Sequence, residues 1–246
     1  MARMSAAYRW RLSEASTICI GARCVLPSSA PDCAACDHVV DEFRLVIQSY
    51  SRVAALVPWS LERALKSLGM DHADIRLLGL WNRDVSPAIF DQALRLRERS
   101  LIRAIGVSTH NRPHAALLAN HNGNVDILHV RYNAVHPGAE RDIFPKLPAP
   151  EVRPVIVTFT ATCWGDLMKP DTVPTGEKIP SAGDCYRFNL TNPAVDLCLT
   201  GPRSASDVTA ALDALDKGPM TPEEMDWMGR VGQAKYFTPS LFSIKG

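Results

Sequence analysis

From residue 43 onward, short apolar runs alternate with longer amphipathic stretches. This alternation constrains the fold more than any other feature of the chain. The runs span residues 45–49, 74–78, 102–107, 125–130, 155–159 and 195–199. Each is mostly apolar, as strands covered on both faces of a parallel sheet are. Between them, residues 60–68 place Leu61, Ala64, Leu65 and Leu68 on one helical face. Residues 87–99 do the same with Ile89, Phe90, Ala93, Leu94 and Leu96. Residues 204–215 open with Ser204 as an N-cap and carry Val208, Ala211, Leu212 and Leu215. A last helix is announced by Thr221 as N-cap, Pro222 at the first helical position and Glu224 at capping-box spacing. Gly218 and Pro219 stop the helix before it.

Alternating strand–helix units force parallel strands and right-handed crossovers. Six units and a final helix predict an α/β fold, a (β/α)8 barrel of the TIM type, in preference to an open doubly wound sheet. No glycine-rich GxGxxG turn follows any strand, which argues against a dinucleotide-binding domain of that second kind. A length of 246 residues suits one such barrel or two small domains. Eight strands are expected and six are visible, so the barrel reads as incomplete or atypical over its first two strand–helix units. The predicted division is an atypical segment over residues 1–42 and a barrel domain over residues 43–246.

Composition narrows the partners. With 46% hydrophobic and 22% charged residues, the chain has material for a large core, and its net charge of +1 gives no cause to expect a nucleic acid. No segment is long and apolar enough for a bilayer, and no apolar stretch follows the basic residues at the start as in a signal peptide. The expected compartment is the cytoplasm, where the odd count of seven Cys stays reduced.

Four segments in order carry a resemblance. Residues 60–74 read SLERALKSLGMDHAD, residues 101–108 LIRAIGVS, residues 126–133 DILHVRYN, and residues 193–201 PAVDLCLTG. Together they resemble the aldo-keto reductases over about residues 43–230. Residues 46–52, 107–113, 129–145, 159–168 and 183–188 are similar to phrases of a divergent bacterial branch of that superfamily. The resemblance implies hydride transfer between NADP(H) and a carbonyl compound. It also implies a proton-donor Tyr supported by Lys, Asp and His at the carboxyl ends of early strands. The sequence departs from that tetrad: Tyr50 stands where the Lys belongs and Gly79 where the His belongs. No Asp-x-x-x-Tyr-Gly pattern occurs before Phe43. The tetrad is therefore expected to be non-standard or lost.

The cofactor side is better matched. By resemblance, Ser108 and His129 face the nicotinamide amide, His129 replacing the usual Gln. Phe159 stacks on the nicotinamide ring and Thr160 follows it. Gly201, Arg203 and Ser204 open a helix whose N–H groups suit a phosphate, with Arg203 toward a 2′-phosphate. For catalysis the chain itself offers Tyr50 and His110. Tyr50 is either a substitute proton donor or a space-filling ring at the barrel mouth. His110 is either an acid or base at the catalytic face or a loop residue bonded to backbone or ligand. His129 and Arg131 alternate with Leu128 and Val130, so the pair either lines a site inside the barrel or makes a salt link with Asp126 or Glu140. Trp164 follows a strand and serves either a ligand or packing. Cys185 and Cys198 read as small core residues. Arg141 and Asp142 read either as functional or as a solvated charge pair.

The first forty residues hold Cys19, Cys24, Cys33 and Cys36. Their spacing is loose for a zinc knuckle and Pro27 and Pro31 interrupt it, so no metal is assigned. A second expectation is that residues 12–42 are translated out of frame. A shifted frame over residues 12–25 permits a phrase similar to "GVNYLYWGS" of the same branch, and the nucleotide sequence there tests it. The sequence thus predicts an NADP(H)-dependent reductase acting on a small-molecule carbonyl. Its alternatives are a non-catalytic barrel binding a phosphorylated ligand or a protein partner, and a truncated inactive product. The substrate and the oligomeric state are not specified.

Overall fold

The computed structural model describes residues 44–121 and 123–237. The readings of Cys19, Cys24, Cys33 and Cys36, and of a shifted frame, lie outside them. Among the described residues six strands occur: β1 Val46–Ser49, β2 Ala73–Leu78, β3 Ile102–Thr109, β4 Ile127–Arg131, β5 Val155–Phe159 and β6 Leu197–Cys198. They form one sheet in the order β1-β2-β3-β4-β5-β6, every pair parallel. Sequential order is what a barrel requires, since a doubly wound sheet reverses direction at a switch point. Among the described residues β1 and β6 each keep one unpaired edge, so the sheet is an incomplete (β/α)8 barrel that does not close.

The helices lie where the apolar spacing puts them: α1 Leu56–Leu68, α2 Pro87–Glu98, α6 Ala205–Asp216 and α7 Pro222–Phe237. Helix α1 starts four residues earlier than the amphipathic pattern suggests. Pro58 falls in its first turn, where the lost N–H has no helical partner anyway. Thr221 and Glu224 cap α7 reciprocally: Thr221 Oγ1 accepts the Glu224 N–H at 3.3 Å and the Glu224 carboxylate accepts the Thr221 N–H at 2.9 Å. Three helices had no strong periodic signal, α3 Arg112–His121, α4 Ala139–Asp142 and α5 Ala182–Thr191. The signal for α5 was a cap: Ser181 Oγ and the Asp184 carboxylate bond one another's backbone N–H groups. Among the described residues no helix is long and apolar enough to cross a membrane.

Strand residues divide by face. Arg76 on β2 is fully buried and donates to the Val57 carbonyl and the Ser60 hydroxyl of α1, so its side of the sheet faces the helices. Leu78, Val107, Leu128 and Ile156 on that side pack with Leu61, Leu65, Ile89, Ala93 and Leu96. The other face is concave. A Cβ on Gly106 would lie 3.0 Å from Leu77, 3.5 Å from Ile75 and 3.7 Å from Ile127, which puts those residues on one surface. Register then sets rows across the sheet: Gln48, Leu77, Gly106, Ile127 and Val155; above them Ser108, His129, Val157 and Leu197; above those Arg131 and Phe159.

The amino ends of the strands are tied by a repeated device. Asp74, Asp126 and Asp196 accept the N–H groups of Leu45, just before β1, and of Ile105 and Ile156 on β3 and β5, at 2.8, 2.8 and 2.7 Å. Each carboxylate also meets an arginine, Arg103, Arg97 and Arg153 respectively. This corrects the predicted starts at Val125 and Val195. Those residues and the following Asp precede β4 and β6. Asp196→Ala strands the buried Arg153 guanidinium and one N–H. A loss of about 3 kcal/mol is expected in urea unfolding, and a smaller loss for Asp196→Asn, which keeps an acceptor.

Candidate functional site

In parallel α/β sheets the loops at the carboxyl ends of the strands converge, and side chains placed there can act together. Here Ser108, His110, His129, Arg131, Phe159 and Thr160 all lie at that end of β3, β4 and β5.

Ser108 and His129 are register partners on the concave face, and both are buried. Ser108 Oγ accepts the Leu80 N–H at 2.8 Å, and its carbonyl accepts the Trp81 N–H at 2.8 Å. Those bonds fix the β2–α2 loop against β3 and leave the hydroxyl proton for a ligand. Leu80 takes a left-handed φ of 57° to make that turn. Burial lowers the His129 pKa to about 4, so the ring is neutral at pH 7. Arg131 ends β4 as the register partner of Phe159, and the His110 ring lies 5.7 Å from the Phe159 ring. Of the two carboxylates named for a salt link, Asp126 binds Arg97 and the Ile105 N–H, and Glu140 takes the Tyr132 hydroxyl.

His110 is exposed. Its backbone N–H is held by Asn82 Oδ1 at 2.8 Å. Partial desolvation and the Arg131 charge lower its pKa, so it presents a lone pair near neutrality. Tyr50 is 60% exposed, directly after β1, and its ring covers Gly79. A Cβ at Gly79 would come within 2.7 Å of that ring. A side chain at position 79 would have to displace the Tyr50 ring and the Gln48 amide, so the two positions are spatially one feature.

The loop after β5 is strained. Thr160, Cys163 and Trp164 have φ of 60°, 51° and 57°, all left-handed and none glycine. Such backbone is stored where function gains from it. The loop buries Cys163 and leaves Trp164 69% exposed, which overturns packing as the role of Trp164. Thr160 gives its carbonyl to Asn133 Nδ2 at 2.7 Å. Cys185 and Cys198 are buried in the helix-facing layer, as expected of core residues.

Gly201, Arg203 and Ser204 follow β6 at the same end of the sheet. Ser204 caps α6, its Oγ accepting the Asp207 N–H at 3.2 Å. The Asp207 carboxylate accepts the Arg203 N–H at 2.8 Å. A carboxylate of the chain itself thus stands at the first turn, where an approaching phosphate would have to displace it. Arg203 is exposed.

Two residues of this end were not singled out from the sequence. Asn133 and His136 sit in an irregular loop with no periodicity to betray them. Because Asn133 Nδ2 donates to Thr160, its Oδ1 faces the His136 N–H at 2.9 Å and Nδ1 at 3.2 Å. Nδ1 must then carry the proton, and Nε2 is left as an acceptor.

A parallel barrel sheet with a polar site at its carboxyl end is thereby defined. It is similar to the aldo-keto reductase AKR11C1 of Bacillus halodurans. The holo form superposes with a TM-score of 0.64 at 17% identity, over 81% of this chain and 75% of that chain. The apo form gives 0.64 at 18% identity with the same coverage. A structure provisionally named 2,5-diketo-D-gluconic acid reductase B gives 0.58 at 17% identity, over 78% of this chain and 68% of that one. No protein-family profile and no curated protein matches the sequence. The chain has the aldo-keto reductase fold.

Proposed function

We propose that the protein is an NADP(H)-dependent oxidoreductase of the aldo-keto reductase type, acting on a small carbonyl compound with a non-standard tetrad. The observation that carries this reading is the juxtaposition, on one concave face, of the Ser108 hydroxyl, the neutral His129 ring and the Phe159 ring. An amide flanked by an aromatic plane fits that set. Its donors and acceptors would hold the carboxamide and its ring would cover the nicotinamide. Bound there, the cofactor would supply the hydride; the chain's own residues orient it and move protons. Proton movement cannot follow the family's pattern, because Tyr50 and Gly79 occupy the Lys and His positions. His110, beside Phe159, is the group placed to exchange a proton with a substrate oxygen.

The filled Tyr50–Gly79 position favours one second reading, a barrel that binds cofactor or a phosphorylated ligand without turnover. Titrating the chain with NADPH while following its fluorescence, and then assaying carbonyl reduction, separates the two. Saturable binding is expected, weakened roughly tenfold in Phe159→Ala through the lost ring contact. Binding without turnover moves the conclusion to the second reading. No binding at millimolar NADPH removes the cofactor.

A further inference from the structure

We propose that Asn82, in the β2–α2 loop, is a positioning residue that holds His110 against Phe159 at the mouth of the sheet. The inference rests on the proposed function only for what the His110 ring does once it is there.

Two loops meet at this point, one after β2 and one after β3. His110 is the first residue past β3, and it is exposed. An exposed side chain beyond a strand end goes where its backbone carries it, so its placement depends on the groups that hold that backbone. One atom does so here. Asn82 Oδ1 accepts the His110 N–H at 2.8 Å and the Thr109 hydroxyl at 3.2 Å. A side-chain carbonyl has two lone pairs, and these two donors take both. Asn111 answers in the other direction. Its Nδ2 donates to the Asn82 carbonyl at 3.0 Å, and its N–H donates to Thr109 Oγ1 at 3.0 Å. Thr109, His110 and Asn111 are thereby bonded into one turn around Asn82.

Asn82 can hold a neighbour only if it is held itself. Two bonds to Ser108 seat the residues just before it: the Leu80 N–H reaches Oγ and the Trp81 N–H reaches the carbonyl, each at 2.8 Å. From the other side, Arg52 donates to the Gly79 carbonyl at 3.2 Å and to the Leu80 carbonyl at 2.6 Å. Its guanidinium lies 4.0 Å from the centre of the buried Trp81 ring, where a cation is attracted to the aromatic face. The left-handed φ of 57° at Leu80 persists because these contacts over-determine the loop. The chain of contacts runs from Arg52 through residues 79–82 to His110. It ends at Phe159, whose ring centre is 5.7 Å from that of His110. Asn82 and His110 are both exposed, so the bond between them covers little apolar surface. Its consequence is the place of the ring.

The full chain is compared with Asn82→Ala, with Asn82→Asp, which keeps an acceptor oxygen, and with His110→Gln alone and combined with Asn82→Ala. Asn82→Ala should unfold in urea close to the parent, as substitutions at exposed positions usually do. By NMR at pH 8, which compares neutral rings, the His110 ring protons should carry a shift from the Phe159 ring current that Phe159→Ala abolishes. That shift should collapse in Asn82→Ala and persist in Asn82→Asp. In reduction of propanal with NADPH, Asn82→Ala should lower kcat about tenfold, the scale of a misplaced reacting group, with the NADPH Kd unchanged. Asn82→Asp should restore most of that rate. In the His110→Gln background, Asn82→Ala should cost nothing further, because the ring it places is gone; a merely structural loop tie would still cost rate there. An unchanged His110 shift in Asn82→Ala, or equal rate losses with and without the His110 ring, would overturn the proposal. Loss of the ring contact with kcat unchanged would overturn it too, since the placement would then serve no step. A parent chain without turnover counts against the proposed function; the NMR comparison needs neither cofactor nor substrate and decides Asn82 by itself.

Discussion

Gly232→Ala is expected to destabilise the protein by about 3 kcal/mol, the upper end of ordinary overpacking costs. A Cβ at this position would lie 2.1 Å from the Ala134 carbonyl oxygen and 2.4 Å from its carbon, both backbone atoms that cannot swing aside. The helix carrying Gly232 is α7, which buries Met228, Val231 and Lys235 over the carboxyl end of the sheet. Lys235 binds Asp166 from there, and Ala134 lies in the loop that holds Asn133 and His136. Lifting α7 would therefore loosen the site as well as the core. The control is on the same helix: Gly229 is exposed, and a Cβ there meets nothing within 4 Å. Gly229→Ala should leave stability unchanged or raise it by up to about 1 kcal/mol, the helix-propensity gain. Equal losses in the two variants by urea unfolding would show that α7 is not seated on Ala134.

Acid should weaken the fold well above the carboxylate range, and His129 should be the main cause. The ring is buried on the concave face between Ser108 and Val157, and its folded pKa is about 4 against 6.5 when unfolded. A histidine with a depressed folded pKa binds its proton more readily in the unfolded chain. Stability is therefore full above pH 6.5 and falls as pH drops from 6.5 toward 4. At about 1.4 kcal/mol per unit, the loss reaches roughly 3 kcal/mol by pH 4. His136, half-buried beside Arg131, Arg112 and His110, adds in the same direction. The carboxylates act lower. Asp166, Asp184 and Glu224 are held below their usual values by Lys169, Ser181 and Arg187, and their contributions are lost only as pH falls through those values. Asp126 runs the other way, since burial raises it and protonation relieves it. Urea unfolding at pH 7, 6 and 5 should show the decline, and His129→Gln should flatten it. An undiminished slope in that variant would remove His129 as the cause.

The repeated tie of Asp74, Asp126 and Asp196 shows how much of this architecture a linear reading can reach. The three acids are visible in the sequence at the head of three strands, but their shared role is not. Each bond runs to a residue between 21 and 40 positions away. The same limit hid Gly232, whose meaning lies in the backbone of Ala134, and Arg112, whose meaning lies in Gly138 and Asp142. Ser204 and Thr221 were legible because a cap is local: the donor lies three residues from the acceptor.

Periodicity and capping along the chain determined the strand–helix alternation, the parallel sheet and the end of the sheet at which side chains converge, because buried strands and amphipathic helices leave a one-dimensional pattern. The tertiary structure alone decided which polar residues meet there. It set Ser108 beside His129, put the Tyr50 ring against Gly79, and brought the His110 ring to Phe159. Those contacts depend on strand register and loop conformation, which arise from packing between distant segments and leave no mark on the local order of residues.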